Sequence, residues 1–82
     1  IEYEAIAMRD TARSAEKARQ VLQTHGANIS PHMREQLLVA GLLHEAVKRD
    51  LEAARRWEDE FGRDAGTNLL PVRSFLLAWA DQ

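Results

Sequence analysis

The sequence lacks cysteine, lacks a long apolar run and lacks a strong excess of either charge. With no cysteine among 82 residues, disulfides and thiolate metal sites are excluded. No apolar run approaches the roughly 20 residues of a membrane span and no signal-peptide pattern opens the chain, so we expect no membrane contact and a cytoplasmic protein. A formal net charge of −2 gives the whole chain no electrostatic footprint for nucleic acid.

The composition is that of a small globular domain. Apolar residues make up 45% and charged residues 29%, which is too apolar for a disordered chain. The length is enough for one domain and not for two, so we expect a single helical domain over residues 1–82. Ile1 stands where an initiator methionine would, which is compatible with a piece of a longer chain.

Helical periodicity and end signals predict an antiparallel hairpin. In the first segment, about 2–25, Ala15, Ala18 and Leu22 recur at the spacing of one helix face, and Gly26 suits the residue that closes a helix. Ser30 is a good N-cap, and Pro31 stands at the favoured first position of the next helix. A connection this short between two long helices implies that they pack antiparallel.

The second helix is predicted to run unbroken over about 31–61. Its apolar stripe continues from Leu37 to Phe61, and Gly62 provides the stop. A shorter third helix, about 71–81, begins at Pro71. The predicted fold is therefore all-α, a long hairpin with a third helix folded back, resembling a three-helix bundle.

The helix lengths place the large aromatic residues outside the hairpin. Pairing about the turn sets Ala15 opposite Gly41 and Ala12 opposite His44, and it leaves Trp57 and Phe61 beyond the first helix. Because a monomer rarely exposes two large aromatics, we expect the last helix to cover them. The predicted cluster, which is also the candidate protein interface, comprises Trp57, Phe61, Phe75, Leu76 and Trp79, with Tyr3 and Ile6 at its edge.

No motif for catalysis is present. His44-Glu45 begins like a zinc-protease helix, but the second histidine of that motif is missing. His44 is therefore interpreted as a partly buried helix residue. The serines lack an activating context, and the glycines match no phosphate-binding loop. We expect no enzyme, no cofactor and no bound metal.

A short basic stripe offers an alternative. Its members step by four along the first helix, with one further arginine nearby, and are Arg9, Arg13, Lys17 and Arg34. Such a stripe could contact phosphates. Asp10 and Glu16 interrupt it, which favours an ordinary solvated face.

The first three quarters of the chain resemble the helical part of phage small terminase subunits. The run ARQVLQTHGANISPHMREQL precedes a helix that ends in EDEFG, and the matching positions are Ala18, Leu22, Gly26, Pro31, Phe61 and Gly62. The sequence departs from that pattern after Gly62, and any αα-hairpin shows similar spacing. The resemblance implies a ring-forming, DNA-recognising packaging component.

The absence of a site and the surplus of apolar helix surface favour a non-catalytic module. We expect a bacterial or phage protein that acts by protein–protein contact, as a homo-oligomer or as a small binder of a larger protein. The DNA-associated module is the alternative hypothesis.

Overall fold

The computed structural model describes the backbone of residues 2–82 and the side chains of residues 9–82, and all regular structure in that part is helical. The helices are α1 (Glu2–His25), α2 (Pro31–Lys48), α3 (Leu51–Phe61) and α4 (Leu70–Ala80), with a 3₁₀ turn at Gly26–Asn28 between the first two. The predicted all-α class is confirmed. The compact arrangement remains close to a three-helix bundle, but the number of helices is four.

The first two helices form the expected hairpin. Ser30 Oγ accepts a hydrogen bond from the Met33 N–H at 3.2 Å, and Pro31 opens α2. Along the hairpin, Thr11 Oγ1 and His44 Nδ1 are hydrogen-bonded at 3.0 Å. This pairing lies one residue from the predicted pairing of Ala12 with His44, so the predicted register is close to the observed one.

The prediction of one helix over 31–61 is wrong, because the chain breaks between Lys48 and Leu51. Arg49 adopts the left-handed conformation (φ 60°, ψ 43°). The Arg49 N–H donates to the Ala46 carbonyl at 3.1 Å and the Asp50 N–H donates to the Glu45 carbonyl at 2.9 Å. This is the Schellman pattern that ends helices. Asp50 then caps α3, with its Oδ1 accepting from the Ala53 N–H at 3.0 Å.

The break turns α3 back along α2, which corrects a further prediction. Gly41 faces the ring of Trp57, since a Cβ atom at this position would lie 2.4–2.5 Å from three ring carbons of that indole. The absence of a side chain at residue 41 therefore makes room for Trp57. Trp57 and Phe61 also do not extend beyond α1, because the Arg19 guanidinium lies 4.3 Å and 5.6 Å from their ring centroids.

The central helix of the fold is α2, which contacts each of the other three helices. Leu38, Leu42 and Ala46 on this helix are completely buried, and α4 adds Leu76 and Ala80 to the same core. The predicted positions of Tyr3 and Ile6 at the edge of an aromatic cluster lie outside the described side chains. Within the described chain, no helix is both long enough and apolar enough to cross a membrane.

Candidate interaction surfaces

The last helix has two different faces. Its inner face carries the buried residues Arg73, Leu76 and Ala80. Its outer face, which we call the α4 outer face, consists of Val72, Phe75, Ala78 and Trp79. Phe75 is 65% exposed and Val72 is 42% exposed, while Trp79 is half-buried because one side of it packs against the core. An apolar helix surface is therefore left open to solvent.

Two aromatic rings on the α4 outer face pack against each other and border a groove. Phe75 and Trp79 meet edge to face, with ring centroids 6.1 Å apart and an interplanar angle of 64°. Together with Ala78 and Gln82 they line a shallow groove of about 240 Å³. Edge-to-face packing is a favourable geometry for two aromatic rings, so Trp79 supports the exposed ring of Phe75.

The five residues predicted to form one aromatic cluster occupy different environments. Trp57, Phe61 and Leu76 belong to the buried core, with the rings of Trp57 and Phe61 5.4 Å apart. Phe75 is exposed, and Trp79 lies between the two environments. Among these five, only Phe75 and Trp79 offer aromatic surface to another molecule.

A buried ionic cluster fixes the beginning of α4. Arg73 donates to Glu35 Oε2 at 2.9 Å and to Glu58 Oε2 at 2.6 Å, and also to the Gly66 carbonyl at 3.0 Å. Glu35, which is 0% exposed, accepts a further hydrogen bond from the Leu69 N–H at 3.0 Å. Hydrogen bonds to Glu58 and Glu35 raise the pKa of Arg73, although burial acts in the opposite direction. The cluster joins α2, α3, the preceding loop and α4.

The cluster around Arg73 was not predicted from the sequence. A signal was present, because Arg73 shares a helix face with Leu76 and Ala80 at steps of three and seven residues. An arginine on an otherwise apolar face needs a buried partner. The identity of that partner depended on the return of α3 along α2, which was not predicted.

The basic stripe and Arg34 are separate. Arg9, Arg13 and Lys17 are exposed on α1 and make no ion pair with any residue of the described part of the chain. Arg34 is half-buried at the hairpin turn, where its guanidinium donates to the Gly26 carbonyl. Gly26 is nine helical residues beyond Lys17, or about 13 Å along the axis, so Arg34 does not extend the stripe.

A second groove, of about 380 Å³, opens between α1, α2 and α3. We call it the Glu45 groove. Ala12, Ala15 and Ala53 line its apolar part, and the Trp57 indole contributes one wall. Arg19 lies over that indole and pairs with Glu60 at 3.1 Å.

His44 and Glu45 also line this groove. The half-buried position of His44 agrees with its interpretation as a partly buried helix residue. Burial lowers the pKa of His44, an effect that Lys48 reinforces and Glu45 opposes. The neutral imidazole is therefore favoured near pH 7. No group of three metal-binding side chains is found among the described residues.

Comparison of the chain with protein-family models, with curated proteins and with solved structures gave no match.

Proposed function

We propose that this protein is a non-catalytic helical interaction module that binds another protein through the α4 outer face. The observation that carries the proposal is the 65% exposure of Phe75 on a helix whose opposite face is buried. Val72, Phe75 and Trp79 follow one another at steps of three and four residues. This is the anchor spacing of helices that insert their apolar side into a groove on a partner.

The fold holds these anchors in place before binding. The ion pairs of Arg73 with Glu35 and Glu58 join the inner side of α4 to α2 and α3. A fixed helix loses less conformational freedom on binding than a flexible segment does, so more of the contact energy contributes to affinity. Because the α4 outer face bears no charge, the complementary surface is an apolar groove.

The size of the face favours a partner with a concave groove that receives the outer side of α4. A standard interface buries about 800 Å² on each side, and one face of an eleven-residue helix is smaller than that. A concave groove contacts the exposed ring of Phe75 on several sides, whereas a second copy of the same convex face contacts it on one. We therefore favour a larger partner protein over a homo-oligomer.

The proposal is tested by comparing the wild-type chain with Phe75→Ala and with the neighbouring control Ser74→Ala. Each chain is immobilised and exposed to an extract of the source cells, and captured proteins are identified and then titrated in purified form. We expect Phe75→Ala to weaken binding by about tenfold or more, since buried aromatic anchors dominate interfaces, and Ser74→Ala to have little effect. Equal affinity for all three chains would overturn the assignment of this face.

Self-association is measured in parallel by sedimentation of the purified chain over a range of concentrations. A dimer that Phe75→Ala abolishes would retain the interface but replace the larger partner by a second copy. Absence of both a captured partner and a dimer would overturn the proposed function.

A DNA-associated module, similar to small terminase subunits, is the second candidate. Its support is the stripe of Arg9, Arg13 and Lys17, whose exposed cations make no ion pair within the described chain. Three phosphate contacts predict an affinity that falls with salt at a logarithmic slope of roughly −3. A gel shift at low salt that is lost in a triple alanine variant of the stripe, and retained in Arg55→Ala, would support this candidate. No shift at low salt would exclude it.

A further inference from the structure

Glu45 is a buried carboxylate with unused hydrogen-bonding capacity. The residue is 5% exposed, yet its side chain accepts no hydrogen bond from any group in the described part of the chain. Lys48 Nζ forms an ion pair with Glu45 Oε1 at 3.6 Å, whereas His44 Nε2, at 3.7 Å, belongs to an imidazole that is neutral near pH 7. Both distances are longer than a hydrogen bond, unlike the contacts of the buried Glu35 in this same fold. The Glu45 carboxylate, which lines the groove, can therefore accept hydrogen bonds from a ligand.

Some of the charged side chains around Glu45 are paired with other residues, and others are not. Of the two arginines that line the Glu45 groove, Arg19 is paired with Glu60 at 3.1 Å and Arg56 with Glu52 at 3.2 Å. Glu16, on the same groove, makes no ion pair with a described residue. Glu45 pairs with Lys48 only at 3.6 Å, which is longer than a hydrogen bond, and Glu16 is unpaired within the described chain. The charge available in the groove is therefore negative, which favours a cation over an anion.

The remaining surface suits the carbon skeleton of such a cation. Ala12, Ala15 and Ala53 leave the space open, and Trp57 provides an aromatic wall. Because Arg19 occupies the face of that indole, 4.3 Å from the ring centroid, the cationic group of a ligand pairs with Glu45 and the exposed part of Trp57 contributes apolar contact. Combined aromatic and carboxylate contacts are a recurrent way to recognise organic cations. A volume of about 380 Å³ is at the small end of the range for ligand sites.

We propose that the Glu45 groove binds a small organic cation. Its guanidinium or primary ammonium group pairs with the Glu45 carboxylate, and its carbon chain lies against the alanines and Trp57. This site lies between α1, α2 and α3, whereas the proposed protein interface lies on α4, so either assignment can fail without the other.

The test uses agmatine, which carries both a guanidinium and a primary ammonium group, and putrescine, which carries only ammonium groups. Binding is followed by calorimetry and by the amide and indole N–H resonances of residues around the groove, with succinate as the anionic control. We expect saturable binding of at least one cation, with resonance shifts at Trp57 and none at Trp79, and no response to succinate. The stronger ligand identifies the preferred head group.

Two variants probe the charge and the shape of the site separately. Glu45→Gln preserves the size of the side chain and removes its charge, and we expect affinity to fall by roughly tenfold to a hundredfold, as for loss of a charge-assisted hydrogen bond. Ala53→Leu keeps the charge and fills the groove, and it should also abolish binding. Asp59→Asn, an exposed carboxylate change on α3 away from the groove, is the matched control and should leave affinity within about twofold, as expected of a surface substitution.

Circular dichroism establishes that each variant is folded before titration. If Glu45→Gln does not fold, the comparison of Ala53→Leu with Asp59→Asn still decides the outcome. The proposal is overturned if neither cation binds saturably, or if folded Glu45→Gln or Ala53→Leu binds as tightly as the wild type.

Discussion

Replacement of Gly41 by alanine tests the contact that fixes α3 against α2. A Cβ atom at residue 41 would lie 2.4 Å from Cδ2 and Cε3 and 2.5 Å from Cε2 of Trp57. Carbon atoms pack best at roughly 3.5–4.0 Å, so the indole must move by more than about 1 Å. Trp57 is only 4% exposed and is covered by Arg19 and Phe61, which leaves it little room to do so.

The expected cost combines two opposing effects. Forcing an extra methyl group into a packed core costs about 1–3 kcal/mol and occasionally more, and the close approach to a rigid ring places Gly41→Ala at the upper end. Alanine offsets about 1 kcal/mol of this because it is the better helix former. We expect a net loss of about 2 kcal/mol, or a fall in the thermal midpoint of roughly 8–16 °C for a domain of this size.

The measurement is urea denaturation followed by circular dichroism, with Gly26→Ala as the matched control. At Gly26 the nearest atoms to an added Cβ lie at 3.7 Å, an ordinary contact distance, so this variant should be as stable as the wild type or slightly more stable. A double variant with Trp57→Leu should show a smaller penalty for Gly41→Ala than the wild-type background does, because the clash is absent. A Gly41→Ala protein as stable as the wild type would refute the packing of α3 described above.

Three further variants test other parts of the fold. Arg49→Gly should raise the free energy of unfolding by about 0.5–1 kcal/mol in urea denaturation. Glycine removes the Cβ strain of the left-handed conformation, although it also increases the entropy of the unfolded chain. A loss of stability would contradict the strained helix end at Arg49. Arg73→Met should lower the free energy of unfolding by about 3 kcal/mol, because Glu35 is left as a buried unpaired charge. Adding Glu35→Gln to this variant should restore part of the lost stability. If Arg73→Met has no effect, the ionic cluster described above is contradicted. The pKa of His44 in the folded state lies below its unfolded value of about 6.5. As the pH falls below about 6.5, the unfolded chain binds a proton at His44 more readily than the folded chain does. The protein therefore loses stability in this range and keeps it at higher pH. His44→Gln should therefore show a smaller decrease in thermal midpoint than the wild type between about pH 7 and 5, and an identical pH dependence would contradict the pKa assignment.

Much of the first half of the fold could be predicted because its signals are local. Ser30 and Pro31 start α2 through contacts within one helical turn. The short connection then fixes the antiparallel arrangement and places Thr11 beside His44. The beginning of α4 near Pro71 was predicted within a residue for the same reason.

The helix break at Arg49 and Asp50 could not be predicted from local signals. Neither glycine nor proline marks it, and the apolar stripe from Leu37 to Phe61 crosses it without a change of period. Asp50 is a good N-cap residue, but aspartate also occurs on exposed helix faces. The left-handed conformation of Arg49 costs about 1–2 kcal/mol, and only the tertiary packing that it permits can offset that cost.

The positions of the candidate surfaces depend on the helix break at Arg49 and Asp50, which was not predicted. The sequence predicted three helical segments, the position of the hairpin turn, and a last helix with more apolar surface than a small core can cover. Tertiary structure decided which of those apolar residues are covered. Once α3 returns along α2, Gly41 receives Trp57, Arg19 covers it, and Glu35 and Glu58 meet around Arg73. Phe75 is left in solvent and Glu45 faces an open groove, because burial depends on residues distant in the sequence that no local pattern brings together.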